Sequence, residues 1–282
     1  MKIELLDAKT IAGIVTKALK ENRDIAMVFD YDGTLTPIVD KPENARLSAN
    51  ASRLLDELVA CEKVKTAVIT GRTLADMYTL ASKRKDVVYI GNHGLEKGDS
   101  KPKGNNNYER EISRLLEIIK PLEEACRGCL VENKGLSLSV HYRNVLNSDV
   151  ERLLNAVQEI WEAEGDDAQF QKTEGKKVVE IRPKDINKGT AVISLLNDWF
   201  GKDWREKCLP IYWGDDTTDE DAFRALQREI GERAVTVKVG EGPSAARYSV
   251  NDVDNVHSMI KAVLDAAMLR DEKTDIMEDT DE

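Results

Sequence analysis

The chain has 282 residues, of which 41% are hydrophobic and 33% charged, and its formal net charge is −11. This length allows one large core or two smaller ones, and the acidic balance argues against a nucleic-acid-binding protein. No apolar run reaches the length of a membrane span and the first residues lack a signal-peptide core, so we expect no membrane partner and a cytoplasmic protein.

Hydrophobic periodicity predicts that helices and strands alternate at both ends of the chain. The first predicted elements are a helix at 5–20, a strand at 25–30, a helix at 48–60, a strand at 64–70, a helix at 73–83 and a strand at 87–90. The last are a helix at 188–200, a strand at 209–213, a helix at 218–228, a strand at 234–239 and a helix at 253–268. This order predicts a doubly wound, Rossmann-like α/β core with a parallel sheet.

The middle of the chain changes character after a stretch rich in Gly, Pro, Lys and Asn at 98–107. Its predicted helices are 108–126 and 148–164, and its predicted strand pairs are 129–133 with 136–142 and 168–173 with 177–182. Turn residues divide each pair, as hairpin connections require. We therefore expect a core at 1–103 and 185–270, an α+β insert at 104–184, and an acidic, disordered tail at 271–282.

The segment 136–143 alternates apolar and polar residues, which predicts a strand with one face packed on the insert helices and an open polar face. The polar positions are Ser137, Ser139, His141 and Arg143. Nearby, Cys126 and Cys129 have the spacing of a redox or half-zinc site. Because no second cysteine pair or suitably spaced histidine accompanies them, we interpret them as a helix end followed by a strand start.

Two carboxylates end the predicted strand 25–30. Asp30 and Asp32 stand two positions apart where the sheet stops, in the sequence Asp-Tyr-Asp-Gly-Thr. Two acids packed in the middle of a sheet would suffer desolvation and mutual repulsion, whereas at its edge they can share a cation. The pair has the layout of a phosphoryl-transfer nucleophile and its acid/base partner.

Other polar groups follow the remaining strands, outside the carboxyl ends where α/β proteins bind ligands. Thr70 ends its strand and precedes Gly71 and Arg72, so a phosphate there would meet a hydroxyl and the free N–H groups of a starting helix. Lys188 opens the first helix after the insert, where its ammonium group could neutralise a phosphate and the nucleophile together. On its own, a lysine at a helix start is usually a surface residue that opposes the helix dipole.

The densest acidic segment is 214–223, which follows the strand 209–213. Asp215 lies immediately past the strand, where an acid completes a hard oxygen site for Mg²⁺. Asp216 and Asp219 are candidates for further metal ligands or for acids that hold the ligands in place. Thr218 and Asp221 read as an N-cap with a carboxylate in the first helical turn.

The segments around Asp30, Thr70, Lys188 and Asp215 occur in this order, with the insert between the second and third. This arrangement resembles the haloacid dehalogenase-like phosphatases that carry an α/β cap domain. The resemblance implies that Asp30 is phosphorylated, that Asp32 passes protons, and that Thr70 and Lys188 assist at the phosphate. It also implies a Mg²⁺ cofactor bound by Asp30, the backbone carbonyl of Asp32, and Asp215.

Longer segments between about residues 25 and 239 resemble trehalose-6-phosphate phosphatases. In the core they are Asp-Tyr-Asp-Gly-Thr-Leu-Thr-Pro-Ile, Thr-Gly-Arg, Gly-Asn-His-Gly-Leu-Glu and Gly-Asp-Asp-Thr-Thr-Asp-Glu-Asp-Ala-Phe. In the insert they are Val-Glu-Asn-Lys, Ser-Val-His-Tyr-Arg and Val-Glu-Ile-Arg-Pro. The implied activity is hydrolysis of trehalose 6-phosphate to trehalose and inorganic phosphate.

That resemblance also implies substrate-binding residues and partners. The residues are Gly71, Arg72, His93 and Gly94 in the core, and Glu132, Lys134, His141, Arg143 and Glu180 in the insert. The family varies at the position of Asn92, so we rank Asn92 below His93 as a substrate-binding candidate. The ligand would be a small sugar phosphate, and trehalose-6-phosphate synthase is the candidate partner protein.

Three alternatives stay open at this point. A related phosphatase acting on sucrose 6-phosphate or mannosyl-3-phosphoglycerate would keep the same core residues and differ in the cap. A sugar phosphomutase also begins Asp-x-Asp-Gly-Thr. Outside enzymology, the chain could be an inactive regulatory subunit of a trehalose-synthesising complex, although an unused set of buried charges would be costly.

Overall fold

The computed structural model describes residues 3–98, 106–166, 168–175 and 177–278. The chain divides into two compact units, the first formed by Met1–Gly94 with Lys188–Glu282 and the second by Leu95–Asn187. The core therefore ends nine residues earlier, and resumes three residues later, than the expected bounds of 103 and 185. The composition of 98–107 suggested a junction near residue 103, whereas the division between the two units lies after Gly94.

The first unit contains a parallel sheet with strands in the order β1-β12-β11-β10-β2-β3-β4. These strands are β1 (Glu4–Leu5), β2 (Asp24–Phe29), β3 (Val64–Ile69), β4 (Val87–Gly91), β10 (Cys208–Gly214), β11 (Val235–Val239) and β12 (Tyr248–Val250). Strands β1 and β12 were not predicted, since strands of two and three residues are too short to show a period of two.

Helices surround this sheet. They are α1 (Ala8–Lys20), α2 (Ala49–Ala60), α3 (Leu74–Ala81), α7 (Lys188–Phe200), α8 (Trp204–Lys207), α9 (Asp219–Ile230) and α10 (Val253–Glu278), with short 3₁₀ turns at Pro42–Asn44, Asn92–Gly94 and Gly231–Arg233. Along β2, Ile25, Met27 and Phe29 join one buried cluster with residues of α1, α2, α3 and α10. Ala26 and Val28 join a second with residues of α7 and α9. Both sheet faces are covered, which confirms the α/β, doubly wound prediction.

Helix α10 continues beyond the end predicted at 268 and reaches Glu278. The concentration of acids predicted disorder from Asp271 onward. The backbone is instead helical through Glu278, in a segment that contains neither Gly nor Pro and includes Glu, Lys and Met, which are good helix formers. The remaining expected tail residues, 279–282, lie outside the described residues.

The second unit is α+β, as predicted. Its elements are β5 (Glu96–Lys97), α4 (Asn106–Ile119), α5 (Leu122–Ala125), β6 (Leu130–Asn133), β7 (Leu138–His141), α6 (Asn147–Glu164), β8 (Phe170–Gly175) and β9 (Val178–Pro183). Strands β6-β7-β9-β8 form an antiparallel sheet with its own hydrophobic core. The single helix predicted at 108–126 is divided, because Pro121 cannot continue the hydrogen-bonding pattern of α4.

None of the helices in the described ranges combines the length and the apolar composition that a bilayer crossing requires.

Candidate functional site

Three neighbouring strands of the first unit end beside one another and present polar residues. Strand β2 pairs in parallel with β3 and β10, so their carboxyl ends lie at the same edge of the sheet. Asp30 follows β2, Thr70 follows β3 and Asp215 follows β10. Thr70 is 1% exposed and Asp30 is 5% exposed. The sheet topology thus brings these sequence-predicted residues to one edge.

Lys188 joins this group as the first residue of α7. Its Nζ lies 2.8 Å from Asp30 Oδ1 and 2.8 Å from Asp219 Oδ1, and its side chain is 2% exposed. It is therefore not the surface residue that a lysine at a helix start usually is. A buried ammonium group needs such partners, because an unpaired charge in this environment would be strongly unfavourable.

Asp219 accepts hydrogen bonds from four donors. Its Oδ1 accepts from Lys188 Nζ at 2.8 Å and from the Tyr212 hydroxyl at 3.0 Å. Its Oδ2 accepts from the backbone N–H groups of Asp215 at 3.0 Å and Asp216 at 3.1 Å. Each carboxylate oxygen has about two lone pairs, so these four donors occupy Asp219.

The predicted N-cap of α9 is wrong in its side-chain contacts. Thr218 has helical backbone angles and its side chain makes no capping hydrogen bond. Instead, its N–H and hydroxyl both donate to Asp216 Oδ1, at 2.8 and 2.7 Å. The acids at 216 and 219, and not Thr218, therefore organise the turn that precedes the helix.

Three acids that could hold a metal ion lie at the same edge. Oxygens of Asp30, Asp215 and Asp219 all lie within 4.8 Å of one another. Because Asp219 is occupied by four donors, Asp30 and Asp215 are the better ligands of the three. Carboxylate oxygens are the donors that Mg²⁺ prefers, so the residues fit that ion. The Asp215 carboxylate lies so close to Gly33 that a Cβ at position 33 would be 2.2 Å from its Oδ2.

Asp32 is paired with Arg72. Asp32 Oδ2 accepts from Arg72 Nε at 2.6 Å, and its Oδ1 accepts from Arg72 Nη2 at 2.7 Å. Arg72 Nη2 also donates to the Pro42 carbonyl oxygen at 3.0 Å. Sequence reasoning assigned Arg72 to substrate, whereas here its guanidinium group binds the predicted acid/base residue.

The loop after β4 packs against the loop after β3. The His93 N–H donates to the Thr70 carbonyl at 2.9 Å, and Asn92 and His93 adopt positive φ values of 48° and 57°. The His93 ring approaches Gly71 so closely that a Cβ there would lie 2.6 Å from His93 Cε1. Gly94 follows with φ of 118°. These predicted residues therefore form one loop pair, and Gly71 is needed for the close approach.

Burial and charge shift the pKa values of the acids in different directions. Burial raises the pKa of the Asp30 carboxyl well above its usual value, although Lys188 opposes this. Burial also raises the pKa of Asp219 to about 6, again against Lys188. For Asp216, burial is outweighed by Lys188 and by the hydrogen bonds from Thr218, which lower the pKa to about 2.

In the second unit, the predicted sugar-binding residues form two contacts on one sheet face. Glu132, Ser139 and Glu180 lie opposite one another on β6, β7 and β9. Glu180 Oε1 accepts from Lys134 Nζ at 3.1 Å and from Ser139 Oγ at 3.3 Å. His141 Nε2 lies 2.8 Å from Glu132 Oε2, and this hydrogen bond lowers the pKa of Glu132.

The prediction that the polar face of 136–143 is open is wrong for Ser137 and Ser139. Ser137 and Ser139 are fully buried, and Glu180 and Arg182 are 8% and 3% exposed. Ion pairs and hydrogen bonds among the polar side chains of this sheet face allow them to be buried. Arg143 differs, since it is exposed and lies beyond the end of β7.

The interpretation of the cysteine pair agrees with the structure. Cys126 is the C-cap of α5 and Cys129 immediately precedes β6. Both are buried free thiols, and burial raises the pKa of Cys129 to about 11. A thiol with a raised pKa is a poor nucleophile at neutral pH.

Two contributors to the first-unit site were missed by sequence reasoning. Tyr212 lies inside β10 and reads as a core aromatic, yet its hydroxyl donates to Asp219. Lys238 lies in β11, and its Nζ donates to the Asp215 carbonyl. A single lysine in the apolar run Val-Thr-Val-Lys-Val was the available signal, because such a charge is rarely buried without a partner.

Comparison with known proteins gives a consistent result. The trehalose-phosphatase family profile matches residues 28–254. A probable trehalose-phosphate phosphatase H from Arabidopsis thaliana is 32% identical over 272 residues, covering 89% of this chain and 75% of the relative.

Solved structures share the fold. The C-terminal domain of Candida albicans trehalose-6-phosphate phosphatase matches with a TM-score of 0.78 and 25% identity, covering 93% of this chain and 99% of that one. The C-terminal domain of a Candida albicans trehalose synthase regulatory protein matches with a TM-score of 0.68 and 13% identity, covering 92% and 99% of the two chains, which shows the fold alone. With the family profile spanning most of its length, the chain belongs to the trehalose-phosphatase family of phosphatase enzymes.

Proposed function

We propose that this protein hydrolyses trehalose 6-phosphate to trehalose and inorganic phosphate through an aspartyl-phosphate intermediate on Asp30, with Mg²⁺ as cofactor. The observation that carries this proposal is Lys188, whose buried ammonium group bridges Asp30 and Asp219 at the edge of the parallel sheet. A carboxylate held beside a fixed cation suits a nucleophile that must approach an anionic phosphate.

In the first step, a carboxylate oxygen of Asp30 attacks phosphorus and forms a P–O bond while the bond from phosphorus to the sugar oxygen breaks. The departing oxygen takes a proton from the Asp32 carboxyl, which releases trehalose with a free hydroxyl group. Asp32 is left as a carboxylate.

In the second step, Asp32 removes a proton from a water molecule whose oxygen attacks the same phosphorus. The bond between phosphorus and Asp30 breaks, inorganic phosphate forms, and both aspartates return to their starting states. One residue therefore serves as acid and then as base.

Several residues would stabilise the transferring phosphoryl group. Lys188 supplies positive charge, the Thr70 hydroxyl supplies a hydrogen bond, and the loops at Gly71, His93 and Gly94 supply polar groups around them. Asp30 and Asp215, together with the Asp32 carbonyl, would bind Mg²⁺, which when bound supplies positive charge that offsets the phosphate oxygens.

The second unit would select the sugar. We propose that Glu132, Lys134 and Glu180 hydrogen-bond sugar hydroxyl groups, with His141 and Arg143 contributing from the neighbouring strand. The pairing of Lys134 with Glu180 and of His141 with Glu132 fixes these side chains, which lowers the entropic cost of binding a polyol.

A substrate panel tests the proposal. Phosphate release is measured with trehalose 6-phosphate, sucrose 6-phosphate, glucose 6-phosphate, mannosyl-3-phosphoglycerate and p-nitrophenyl phosphate, with Mg²⁺ and with EDTA. We expect metal-dependent release and the highest kcat/KM for trehalose 6-phosphate. Preference for another sugar phosphate would contradict the substrate assignment, and activity that persists in EDTA would contradict the cofactor assignment.

Two cap variants extend the same assay. Lys134→Met and Glu180→Gln should lower kcat/KM for trehalose 6-phosphate while leaving p-nitrophenyl phosphate hydrolysis near wild type. An equal loss with both substrates would contradict a role in sugar selection.

The alternative of an inactive regulatory subunit is tested with the same substrate. Calorimetric binding of trehalose 6-phosphate without phosphate release would favour it. An association with trehalose-6-phosphate synthase is compatible with either function, and co-purification of the two proteins would test it.

A further inference from the structure

Arg72 and Asp32 form a bidentate ion pair. Two nitrogens of the guanidinium group each bind a different oxygen of the carboxylate, at 2.6 and 2.7 Å. Such a bidentate pair fixes the plane of the carboxylate as well as its position. The side chains of Arg72 and Asp32 are 15% and 31% exposed, so the pair is shielded from solvent on most sides.

Arg72 is itself held by its surroundings. Its Nη2 also donates to the Pro42 carbonyl at 3.0 Å, and its guanidinium carbon lies 5.9 Å from the centre of the Tyr31 ring. The Tyr31 hydroxyl in turn donates to the Ala45 carbonyl at 2.7 Å. The guanidinium group is therefore fixed to the segment between β2 and α2.

The backbone of Arg72 is anchored from the other side. Its N–H donates to the Thr70 hydroxyl at 3.2 Å, and its carbonyl accepts from the Asn92 N–H at 2.7 Å. Side chain and main chain are thus both restrained. The guanidinium nitrogens that already donate to a carboxylate and a carbonyl are poorly placed to bind a substrate phosphate as well.

We propose that Arg72 is a positioning residue for Asp32, which fixes the carboxyl orientation needed to protonate the departing sugar oxygen, and that it is not a substrate ligand. This rests on the function proposed above, in which Asp32 is the general acid. A general acid must lie within hydrogen-bond reach of the leaving oxygen, and positioned proton transfer contributes about 10²–10⁴-fold to rate.

The proposal predicts that the effect of Arg72 depends on the leaving group. A sugar alkoxide departs poorly unless it is protonated, whereas p-nitrophenolate departs as an anion. The parameter kcat/KM reports events up to the first irreversible step, so it isolates leaving-group departure from the later attack of water. Loss of Arg72 should therefore lower kcat/KM for trehalose 6-phosphate much more than for p-nitrophenyl phosphate.

The experiment compares Arg72→Met, Arg72→Lys, Asp32→Asn and the double variant Arg72→Met/Asp32→Asn with both substrates. We expect Arg72→Met to lower kcat/KM by about 10²-fold for trehalose 6-phosphate and by less than about 3-fold for p-nitrophenyl phosphate. Arg72→Lys should recover little, because an ammonium group cannot form the bidentate pair. The double variant should match Asp32→Asn alone, since Arg72 has no effect without its carboxyl partner.

Arg84→Met is the matched control. Arg84 Nε donates to Asp56 Oδ1 at 2.6 Å. Arg84 follows α3 and Asp56 lies on α2, so neither residue belongs to the site at the sheet edge. This variant should leave the ratio of the two kcat/KM values unchanged, even if it lowers stability.

Other results would overturn the proposal. Equal losses with both substrates would make Arg72 a structural residue only, and a raised KM for both substrates that adds fully to the effect of Asp32→Asn would make it a substrate ligand. Failure of the wild type to hydrolyse either substrate would instead contradict the proposed function, so the two failures are distinguishable.

Discussion

Asp219 shows how a buried acid can organise a site through the groups that it binds. Its carboxylate accepts one ammonium, one phenol and two backbone N–H groups. The ammonium contact holds Lys188 beside Asp30, the Tyr212 hydroxyl orients the carboxylate, and the two N–H contacts fix the backbone that carries Asp215. One side chain therefore sets the positions of the proposed nucleophile's cation and of a proposed metal ligand.

Tyr212→Phe tests this support. The variant removes one donor to a buried carboxylate, so we expect a loss of about 1.5–3 kcal/mol in the free energy of unfolding and a lower kcat with little change in KM. Urea denaturation and steady-state assays measure the two effects. Tyr89→Phe is the control, because the Tyr89 hydroxyl donates to the Ser82 carbonyl over a longer 3.4 Å, and an equal kcat loss there would contradict the assignment.

The lowered pKa of the Asp216 carboxyl should make the free energy of unfolding depend on pH. Despite burial, Lys188 and the Thr218 hydrogen bonds lower its pKa from 3.8 to about 2. The folded state therefore prefers the carboxylate, and this stabilisation is complete above pH 3.8 and lost as the pH falls toward 2. Asp216→Asn keeps the acceptor for Thr218 and should remove about 1–2 kcal/mol of that pH dependence. Urea unfolding from pH 2 to 6 would contradict this if the two proteins lost stability in parallel.

The common location of several site residues could be predicted from their spacing in the sequence. Two acids at the end of a strand, a threonine after the next strand and an acid after a third predicted a common edge. The partners of those residues were not readable. Arg72 binds Asp32 across 40 residues of sequence, and Tyr212 binds Asp219 across seven. Both contacts depend on side-chain directions, which spacing does not encode.

At the scale of elements, glycines allow the turns to approach the carboxylates. A Cβ at Gly214 would lie 2.2 Å from the Asp219 carboxyl carbon, and one at Gly33 would lie 2.2 Å from an Asp215 oxygen. Both positions end or follow a strand of the central sheet. The close packing of backbone against acid therefore depends on the absence of a side chain at two positions.

Gly214→Ala and Gly13→Ala form a matched pair. Gly13 is exposed within α1 and a Cβ there would meet no atom within 4 Å, so Gly13→Ala should raise the free energy of unfolding by about 0.5–1 kcal/mol. Gly214→Ala should lower it by about 1–3 kcal/mol and reduce phosphate release. Thermal unfolding of both variants checks the signs, and a stabilised Gly214→Ala would show that Asp219 is not held as described.

Longer elements were predictable because periodicity accumulates along them. The predicted strands at 25–30 and 209–213 correspond to β2 and β10, and the predicted helix at 188–200 matches α7 within the assigned bounds. Elements of two or three residues, the division at Pro121 and the continuation of α10 to Glu278 were not found. Short strands are specified by their neighbours in the sheet and carry too few residues for a pattern.

At the scale of the whole chain, each compact unit has its own buried core. The first has one cluster on each face of the parallel sheet, and the second has a separate cluster between its helices and antiparallel sheet. The acidic site, Asp30, Asp215 and Asp219 with Lys188, lies within the first unit. Its carboxylates repel one another, and a bound cation would relieve that repulsion.

Mg²⁺ should therefore stabilise the folded protein. At a concentration of about 100 times Kd, ligand binding contributes about 2.7 kcal/mol, which corresponds to a Tm rise of about 3–8 °C for a chain of this size. Asp215→Asn should lose most of this rise, whereas the control Asp265→Asn, at an exposed position on α10, should retain it. Differential scanning calorimetry with and without Mg²⁺ measures it, and an unchanged rise in Asp215→Asn would place the ion elsewhere.

The most direct test of the account is phosphate release from trehalose 6-phosphate by the wild type and by Asp30→Asn, measured side by side with Mg²⁺. Asparagine has nearly the same shape as aspartate, and Lys188 keeps its contact with Asp219, so circular dichroism should show an intact fold. We predict that Asp30→Asn lowers turnover by at least about 10³-fold, because the amide cannot form the aspartyl phosphate. Turnover near the wild-type rate in a folded Asp30→Asn protein would contradict the assignment of Asp30 as the nucleophile.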